Sequence, residues 1–233
     1  MRIRARHVAL VLIAVLIAGV CVRLGFWQLD RLHGRRDINA MLAARGALPA
    51  VDLATSDPAS LPYAHVTVTG TYDPAHEFVL SGRSYQDVAG NHVLTPLVLA
   101  DGSAVVVDRG WVPLEVASPP VTGPAAAPEG QVTIAGLALA PDSISATPVS
   151  PAPSVVTRID LGVADLPYRL VPVYVLLQTQ DPPQASGSPI PVAGPTLDDG
   201  PHLSYALQWF AFATIAIVGC VVLLRRDPRS VRE

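Results

Sequence analysis

The strongest constraint on the fold is an uncharged apolar run near the carboxyl end of the chain. Residues 203–224 contain no charge, include Tyr205 and Trp209 near their start, and are followed directly by Arg225 and Arg226. About 20 apolar residues are enough for an α-helix to cross a bilayer, and interfacial aromatics and flanking arginines are typical of its ends. The run predicts a transmembrane helix over residues 203–224.

A second apolar run, residues 8–22, follows a basic head that contains Arg2, Arg4 and Arg6. Secretory signal peptides begin in the same way, but no small-residue cleavage site follows this run, and a lipoprotein would need a small residue where Val20 precedes Cys21. The pattern favours a retained transmembrane helix over residues 8–27. Arg23 would then snorkel to the outer interface.

The distribution of charge predicts how this protein is oriented. Arginines precede the first run and follow the second, so the positive-inside rule places both termini in the cytoplasm. Residues 24–202 hold eight arginines against 17 acids, which indicates an extracytoplasmic middle. Arg31, Arg35 and Arg36 are the exception, because they follow the first helix on the outer side.

Composition agrees with a membrane protein and excludes several other classes. Half of the residues are hydrophobic and only 15% are charged, whereas soluble domains have about 25% charged residues. The pI of about 6.0 excludes a typical nucleic-acid-binding domain. The two cysteines, Cys21 and Cys220, both lie in the apolar runs, so the middle has neither a disulfide framework nor a zinc cluster.

The middle of the chain has the pattern of a mainly β domain. Its short apolar segments are rich in Val and Thr and are bounded by Gly and Pro, and Asp101-Gly102 joins two of them as a hairpin. The spacing of Ile38, Met41 and Leu42 predicts a short amphipathic helix within residues 35–45. The Pro-rich stretches 117–130 and 181–201 predict loops. The predicted strands are 65–69, 76–80, 92–99, 104–112, 131–139, 155–159 and 173–179.

The predicted fold is therefore a membrane protein in which two transmembrane helices flank a mainly β (α+β) extracytoplasmic domain. The predicted segments are a cytoplasmic head (1–7), transmembrane helix 1 (8–27), the β-rich domain (28–180), a Pro-rich linker (181–202), transmembrane helix 2 (203–224) and a cytoplasmic tail (225–233). No phosphate loop, zinc-protease motif or nucleophile elbow occurs, so we expect a protein that is not an enzyme.

The candidate functional residues are concentrated where the two helices meet the outer membrane surface. On the second helix, Tyr205, Gln208 and Trp209 share one face, and His202 lies one turn before Tyr205. On the first helix, Trp27, Gln28 and Arg31 lie three or four residues apart, so that their side chains can converge.

Two interpretations of these residues stay open. The aromatics can form an interfacial belt while Gln28 and Gln208 join the helices by hydrogen bonds. Alternatively, a neutral His202 at a helix N-terminus offers a lone pair to a metal, so that an iron porphyrin could lie in the helix cleft. Its propionates would meet the guanidinium groups of Arg31, Arg35 and Arg36. Arg109 is a further candidate, for which a buried structural ion pair is the competing interpretation.

Five sequence motifs follow one another along nearly the whole chain. They are Leu24-Gly-Phe-Trp-Gln-Leu-Asp-Arg31, Val66-Thr-Val-Thr-Gly-Thr-Tyr72, Leu94-Thr-Pro-Leu97 with Asp101-Gly102, Asp108-Arg-Gly-Trp-Val-Pro113, and Tyr205-Ala-Leu-Gln-Trp-Phe210. In this order the motifs resemble the Surfeit locus protein family of cytochrome c oxidase assembly factors.

The resemblance implies an assembly factor that delivers or places haem a in subunit I of an aa3-type oxidase, with His202 as a ligand of the haem iron. The expected cofactor-binding residues are His202, Trp27, Gln28, Arg31, Tyr205, Gln208, Trp209 and Arg109. The expected partners are oxidase subunit I, haem A synthase and the bilayer of the plasma membrane, with haem a held only transiently.

Two other functions remain open at this stage. A membrane scaffold would dock onto the oxidase or a haem-synthesis enzyme without touching haem. An extracytoplasmic sensor or transporter accessory would use the β domain to bind a ligand.

Overall fold

The computed structural model describes residues 5–116, 118–145, 154–162, 166–184 and 187–226. The chain divides into two compact units, a helix unit (1–42 and 197–233) and a β unit (43–196). The elements are α1 (Ala5–Gly46), β1 (Val51–Asp52), β2 (His65–Tyr72), β3 (Phe78–Tyr85), β4 (Val88–Val98), β5 (Ala104–Pro113), β6 (Gln131–Leu139), β7 (Val155–Val156), β8 (Leu170–Asp181) and α2 (His202–Arg226).

The fold class predicted from the sequence is confirmed. Two long apolar helices lie at the two ends of the chain, and a mixed β-sheet lies between them in sequence. Both helices are long and apolar enough to span a membrane. Only 22% of the most apolar stretch of α1 and 11% of that of α2 is buried, which is too little for the core helix of a soluble protein.

The first helix is longer than the sequence pattern indicated. The predicted amphipathic helix at residues 35–45 is helical, but it continues the first helix without a break. No proline separates the two segments, and Asp30 and Gly34, whose residue types often cap helices, are themselves helical, so backbone hydrogen bonding runs through. Arg2, Arg4, Arg229 and Arg232, on which the predicted orientation partly depends, lie outside the described residues.

The β unit is built on a closed ring of strands. The sheet order is β1-β2-β6-β8-β5-β4-β3-β7, and an additional pairing of β2 with β4 joins five of these strands into a barrel. Parallel pairing occurs between β5 and β8, whereas β4 and β5 form the antiparallel hairpin predicted at Asp101-Gly102. All seven predicted strand segments contain a strand.

Gly70 permits the closure of this ring. The last residues of β2 pair with β4, with Thr71 opposite Val98 and Tyr72 opposite Leu97. A Cβ atom at Gly70 would lie 2.5 Å from the carbonyl oxygen of Val98, so a larger residue would force the two strands apart. The strands can therefore approach at this point because the side chain is missing.

Alternating apolar residues fill the barrel and cover part of its outside. The inner cluster includes Val66, Val68, Leu97, Val105 and Ile134, which are all almost completely buried. A second cluster on the opposite face of β3, β4 and β5 is covered by the segment around residue 160. The members of the second cluster are Phe78, Leu80, Leu94, Val106, Ile159 and Leu161.

Candidate functional site

Small residues line the contact between α1 and α2 in the helix unit. They recur every three, four or seven positions, so each set forms one stripe along its helix. Small side chains let two helix backbones approach closely, which favours association in a bilayer. The buried stripe residues are Ala14, Ala18, Cys21 and Gly25 on α1, and Ala206, Ala213 and Cys220 on α2.

The contact is tightest where Gly25 meets the ring of Phe210. A Cβ atom on Gly25 would lie 2.6 Å from that ring, too close for any real atom pair. Phe26 also packs its ring edge-to-face with Phe210, at a centroid distance of 5.5 Å. Gly25 and Phe26 lie near the predicted end of the first transmembrane helix. Together they form the surface of α1 against which Phe210 of α2 packs.

His202 and Gln28 meet at one end of this stripe. The His202 Nδ1 atom lies 2.9 Å from Gln28 Oε1. Because the amide oxygen only accepts hydrogen bonds, Nδ1 carries the proton and donates it, so a neutral ring keeps its lone pair on Nε2. This hydrogen bond fixes the ring in the same way that an outer partner fixes a metal-binding histidine.

The polar backbone groups at the start of α2 give His202 a defined position. The Pro201 carbonyl accepts hydrogen bonds from the Tyr205 amide and the Ser204 hydroxyl, so His202 is the first helical residue. Gly200 precedes this turn with a φ of 65°, a conformation that glycine adopts at no cost. Its Cα hydrogens lie beside the imidazole, because a Cβ there would be 3.6 Å from Nε2.

Most of the other predicted site residues of the helix unit are more exposed than His202 and Gln28. Trp209 is half-buried and packs on the cluster of Ala18, Cys21 and Ala213. Helical spacing places Arg31 and Tyr205 on the flank of the helix pair opposite Phe26 and Phe210. The exposed members of the predicted set are Trp27, Arg31, Tyr205 and Gln208.

Arg35 and Arg36 already have protein partners in this unit. The Nε atom of Arg36 lies 2.8 Å from a carboxylate oxygen of Asp199, and Arg35 donates to the backbone carbonyl of Asp198 at 3.4 Å. The Asn39 amide donates to the same carbonyl at 2.9 Å. Within the described part of the chain, Arg31 has neither an ion pair nor a hydrogen bond, so it is the guanidinium of the three that stays available.

Arg109 lies in the β unit, where it is completely buried. Its guanidinium is 3.4 Å from Glu77 and donates to the carbonyl oxygens of Ala125 and Ala126 and to the side chain of Gln184, each at 2.9 Å. The acid that faces it is Glu77, which no sequence motif indicated. These contacts support the structural interpretation of Arg109, whose burial lowers the guanidinium pKa.

Glu77 extends the buried network to a loop. One of its carboxylate oxygens accepts from the Thr95 hydroxyl at 2.6 Å and the other from the Val121 amide at 2.6 Å. Together with Arg109, it ties residues 121–126 to the barrel. The sequence signal was weak, because Glu77 is a single acid near the start of the predicted strand 76–80.

This chain is similar to known proteins over nearly its whole length. The model of the SURF1 family matches residues 15–214. An uncharacterized SURF1-like protein from Mycobacterium tuberculosis is 33% identical over 246 residues, covering 99% of this chain and 88% of that protein. A SURF1-like protein from Monosiga brevicollis is 29% identical, covering 87% of this chain and 83% of that protein. A SURF1-like protein from Rickettsia felis is 27% identical, covering 94% of this chain and 98% of that protein.

Proposed function

The chain belongs to the SURF1 family, generally cytochrome oxidase assembly factors, and on that premise we propose that it assists the assembly of an aa3-type cytochrome c oxidase. It acts without catalysing a reaction, by binding haem a or helping to insert it into oxidase subunit I. It works in the plasma membrane, with both termini in the cytoplasm and the β unit outside.

The single observation that carries the haem part of this proposal is the hydrogen bond from His202 to Gln28. It leaves Nε2 as the atom that can bind iron, on a half-buried ring at the start of α2. The donor set therefore fits a haem with one protein ligand. Haem would supply an iron atom that an imidazole can bind and two propionates that a guanidinium can bind.

Other residues of the helix unit would hold the rest of the group. Arg31 would meet a propionate, since its guanidinium is exposed and the described residues offer it no acid. Trp27, Tyr205, Gln208 and the half-buried Trp209 would contact the porphyrin. A single imidazole ligand suits a carrier, because the group must leave again for the oxidase, and haem A synthase would be its source.

The experiment that tests the function uses a host strain that lacks this chain and makes an aa3-type oxidase. Complementation with the wild type should restore haem a in subunit I, as measured by the reduced-minus-oxidised spectrum of the membranes. The His202→Ala variant should restore much less, whereas the exposed Arg169→Gln variant should match the wild type. Equal haem a contents with and without the chain would contradict the proposed function.

A scaffold that does not bind haem is the second candidate, and the exposed aromatic face of α2 favours it. Tyr205 and Phe212 are about half exposed, at 46% and 50%, and could contact a partner helix. In that case, His202→Ala would leave oxidase haem unchanged, while Tyr205→Ala with Phe212→Ala would prevent co-purification of subunit I.

A further inference from the structure

The β unit contains a cavity that is unrelated to His202. It has a volume of about 280 Å³ and lies on the outer face of the barrel. Its walls combine apolar side chains, including Leu80 and Ile159, with the polar side chains of Arg83, Asp108 and Tyr174. All of these residues belong to the β unit, and the structure describes each of them.

The acids in this cavity already have protein donors. Asp108 accepts from His92 Nδ1 at 2.8 Å with one carboxylate oxygen and from the Gly110 amide at 3.1 Å with the other. Asp142 accepts from the Ile159 amide at 2.8 Å. Both carboxylates therefore accept hydrogen bonds from the fold, and Asp108 itself is almost completely buried and faces His92.

Two side-chain donors in the same cavity have no protein acceptor among the described residues. Arg83 and Tyr174 are half-buried, and within the described ranges neither side chain has a hydrogen bond or ion pair. Burial and the nearby carboxylates of Asp108 and Asp142 raise the pKa of Tyr174 to about 12, so its hydroxyl keeps its proton. A guanidinium and a phenol with free N–H and O–H groups thus face one space.

We infer that this cavity binds a small carboxylate with an apolar body, whose charged group is held by Arg83 and Tyr174. A guanidinium binds a carboxylate by charge-assisted hydrogen bonds, and the phenol can add a third donor. Leu80 and Ile159 supply the apolar wall that the body of the ligand contacts. At about 30 Å³ per water molecule, the cavity has room for roughly ten non-hydrogen atoms, so it fits the carboxylate and side chain of an amino acid such as leucine, with an acyl group on the nitrogen at its open side.

A carboxylate of this kind can come from two sources. One is a free monocarboxylate in the extracytoplasmic space, and the other is the terminal carboxylate of a protein chain, which presents the same group next to an apolar side chain. The site is independent of the proposed haem site, since it lies wholly in the β unit. Its failure would leave the assembly function untouched.

Calorimetric titration of the full-length, detergent-purified chain with N-acetyl-leucine tests the inference. For a ligand of this size, we expect saturable binding with a Kd of about a millimolar. N-acetyl-leucinamide has the same shape without the charge and should show no saturable binding. Equal affinities for the acid and the amide would overturn the inference.

Matched variants locate the binding. Arg83→Gln should weaken binding of N-acetyl-leucine by about tenfold or more, and Tyr174→Phe by roughly three- to tenfold. Arg169→Gln removes an arginine that is 83% exposed and lies outside the cavity, so it should bind like the wild type. Equal affinities of the Arg83→Gln and Arg169→Gln variants, both shown to be folded by circular dichroism, would refute the assignment.

A last arm distinguishes the two sources. A tetrapeptide that ends in leucine with a free carboxylate should bind at least tenfold more tightly than N-acetyl-leucine if the natural ligand is a protein chain end. The same peptide with a terminal amide is its control. Equal affinities of the peptide acid and N-acetyl-leucine would assign the cavity to free small carboxylates.

Discussion

The ion pairs Arg109–Glu77 of the β unit and Arg36–Asp199 of the helix unit differ in burial. In the β unit, Arg109 is completely buried and Glu77 is 6% exposed, and their partners lie within the fold. In the helix unit, the Arg36–Asp199 side chains are 51% and 45% exposed. Buried charges must be satisfied by the fold and so hold it together, whereas exposed charges contribute little stability and can serve binding.

The buried and the exposed charges differ in function. The buried pair holds loop residues 121–126 on the barrel, so it is a structural device. The helix unit instead keeps an imidazole nitrogen and the Arg31 guanidinium accessible beside aromatic side chains. We therefore expect substitutions in the β unit's network to unfold the protein, and substitutions around His202 to change what it binds.

The largest expected effect comes from breaking the buried pair. Arg109→Ala leaves Glu77 buried without its counter-charge, which should lower the free energy of unfolding by about 3–5 kcal/mol. Chemical unfolding followed by tryptophan fluorescence measures this loss. Arg169→Ala, at an exposed position, should change stability by less than about 0.5 kcal/mol. A loss under 1 kcal/mol for Arg109→Ala would remove the contrast between the units.

The next effect concerns the contact between α1 and α2. Gly25→Ala places a methyl group against Phe210 and should destabilise the helix pair by about 1–3 kcal/mol. Gly19→Ala meets nothing within 4 Å and should be neutral or stabilise α1 by up to about 1 kcal/mol. Thermal unfolding in detergent compares the two variants. Equal melting temperatures would show that Gly25 is not a close contact.

Gln28 is expected to act on haem binding through its hydrogen bond with His202. Gln28→Leu removes the acceptor that orients His202 and should weaken haem a binding by about 10–100-fold without a comparable loss of stability. Gln28→Glu keeps an acceptor oxygen and should retain binding. Spectroscopic titration with haem a measures both. If Gln28→Leu binds as tightly as the wild type, His202 needs no orienting partner.

The smallest effect is expected at the exposed charges. Arg36→Gln removes the ion pair with Asp199 and should cost less than about 1 kcal/mol. The loss should shrink further in high salt, because the pair is open to solvent. Chemical unfolding at low and high ionic strength checks this. A salt-independent loss of several kcal/mol would mean that this pair is effectively buried.

Much of the fold could be predicted from the sequence, because each local pattern agrees with the final structure. The 131–139 segment alternates along its length and is strand β6 with the same bounds. The turn between β3 and β4 was missed, since Gln86 and Asp87 adopt φ values of 48° and 64° without the Asn-Gly or Asp-Gly pair that usually signals such a turn.

The candidate site was predictable only within the helices. Periodicity along α1 and α2 placed Gln28 and His202 near the outer ends of their helices but did not pair them. The interhelical hydrogen bond considered from the sequence joined Gln28 to Gln208, whereas Gln28 contacts His202 and Gln208 is exposed. The partners of Arg35 and Arg36 were not predicted, because Asp198 and Asp199 lie in a Pro/Gly-rich linker whose path no local pattern specifies. The Arg109–Glu77 pair was missed because it joins positions 32 residues apart.

The optical spectrum of the detergent-purified chain tests the central claim most directly. The wild type and the His202→Ala variant would each be co-expressed with the enzymes that make haem a, with His33→Ala as a matched control on the exposed side of α1. We predict a haem a spectrum in the wild type and in His33→Ala, and its shift or loss in His202→Ala. An unchanged haem a spectrum in folded His202→Ala, or no haem in any of the three, would contradict the account.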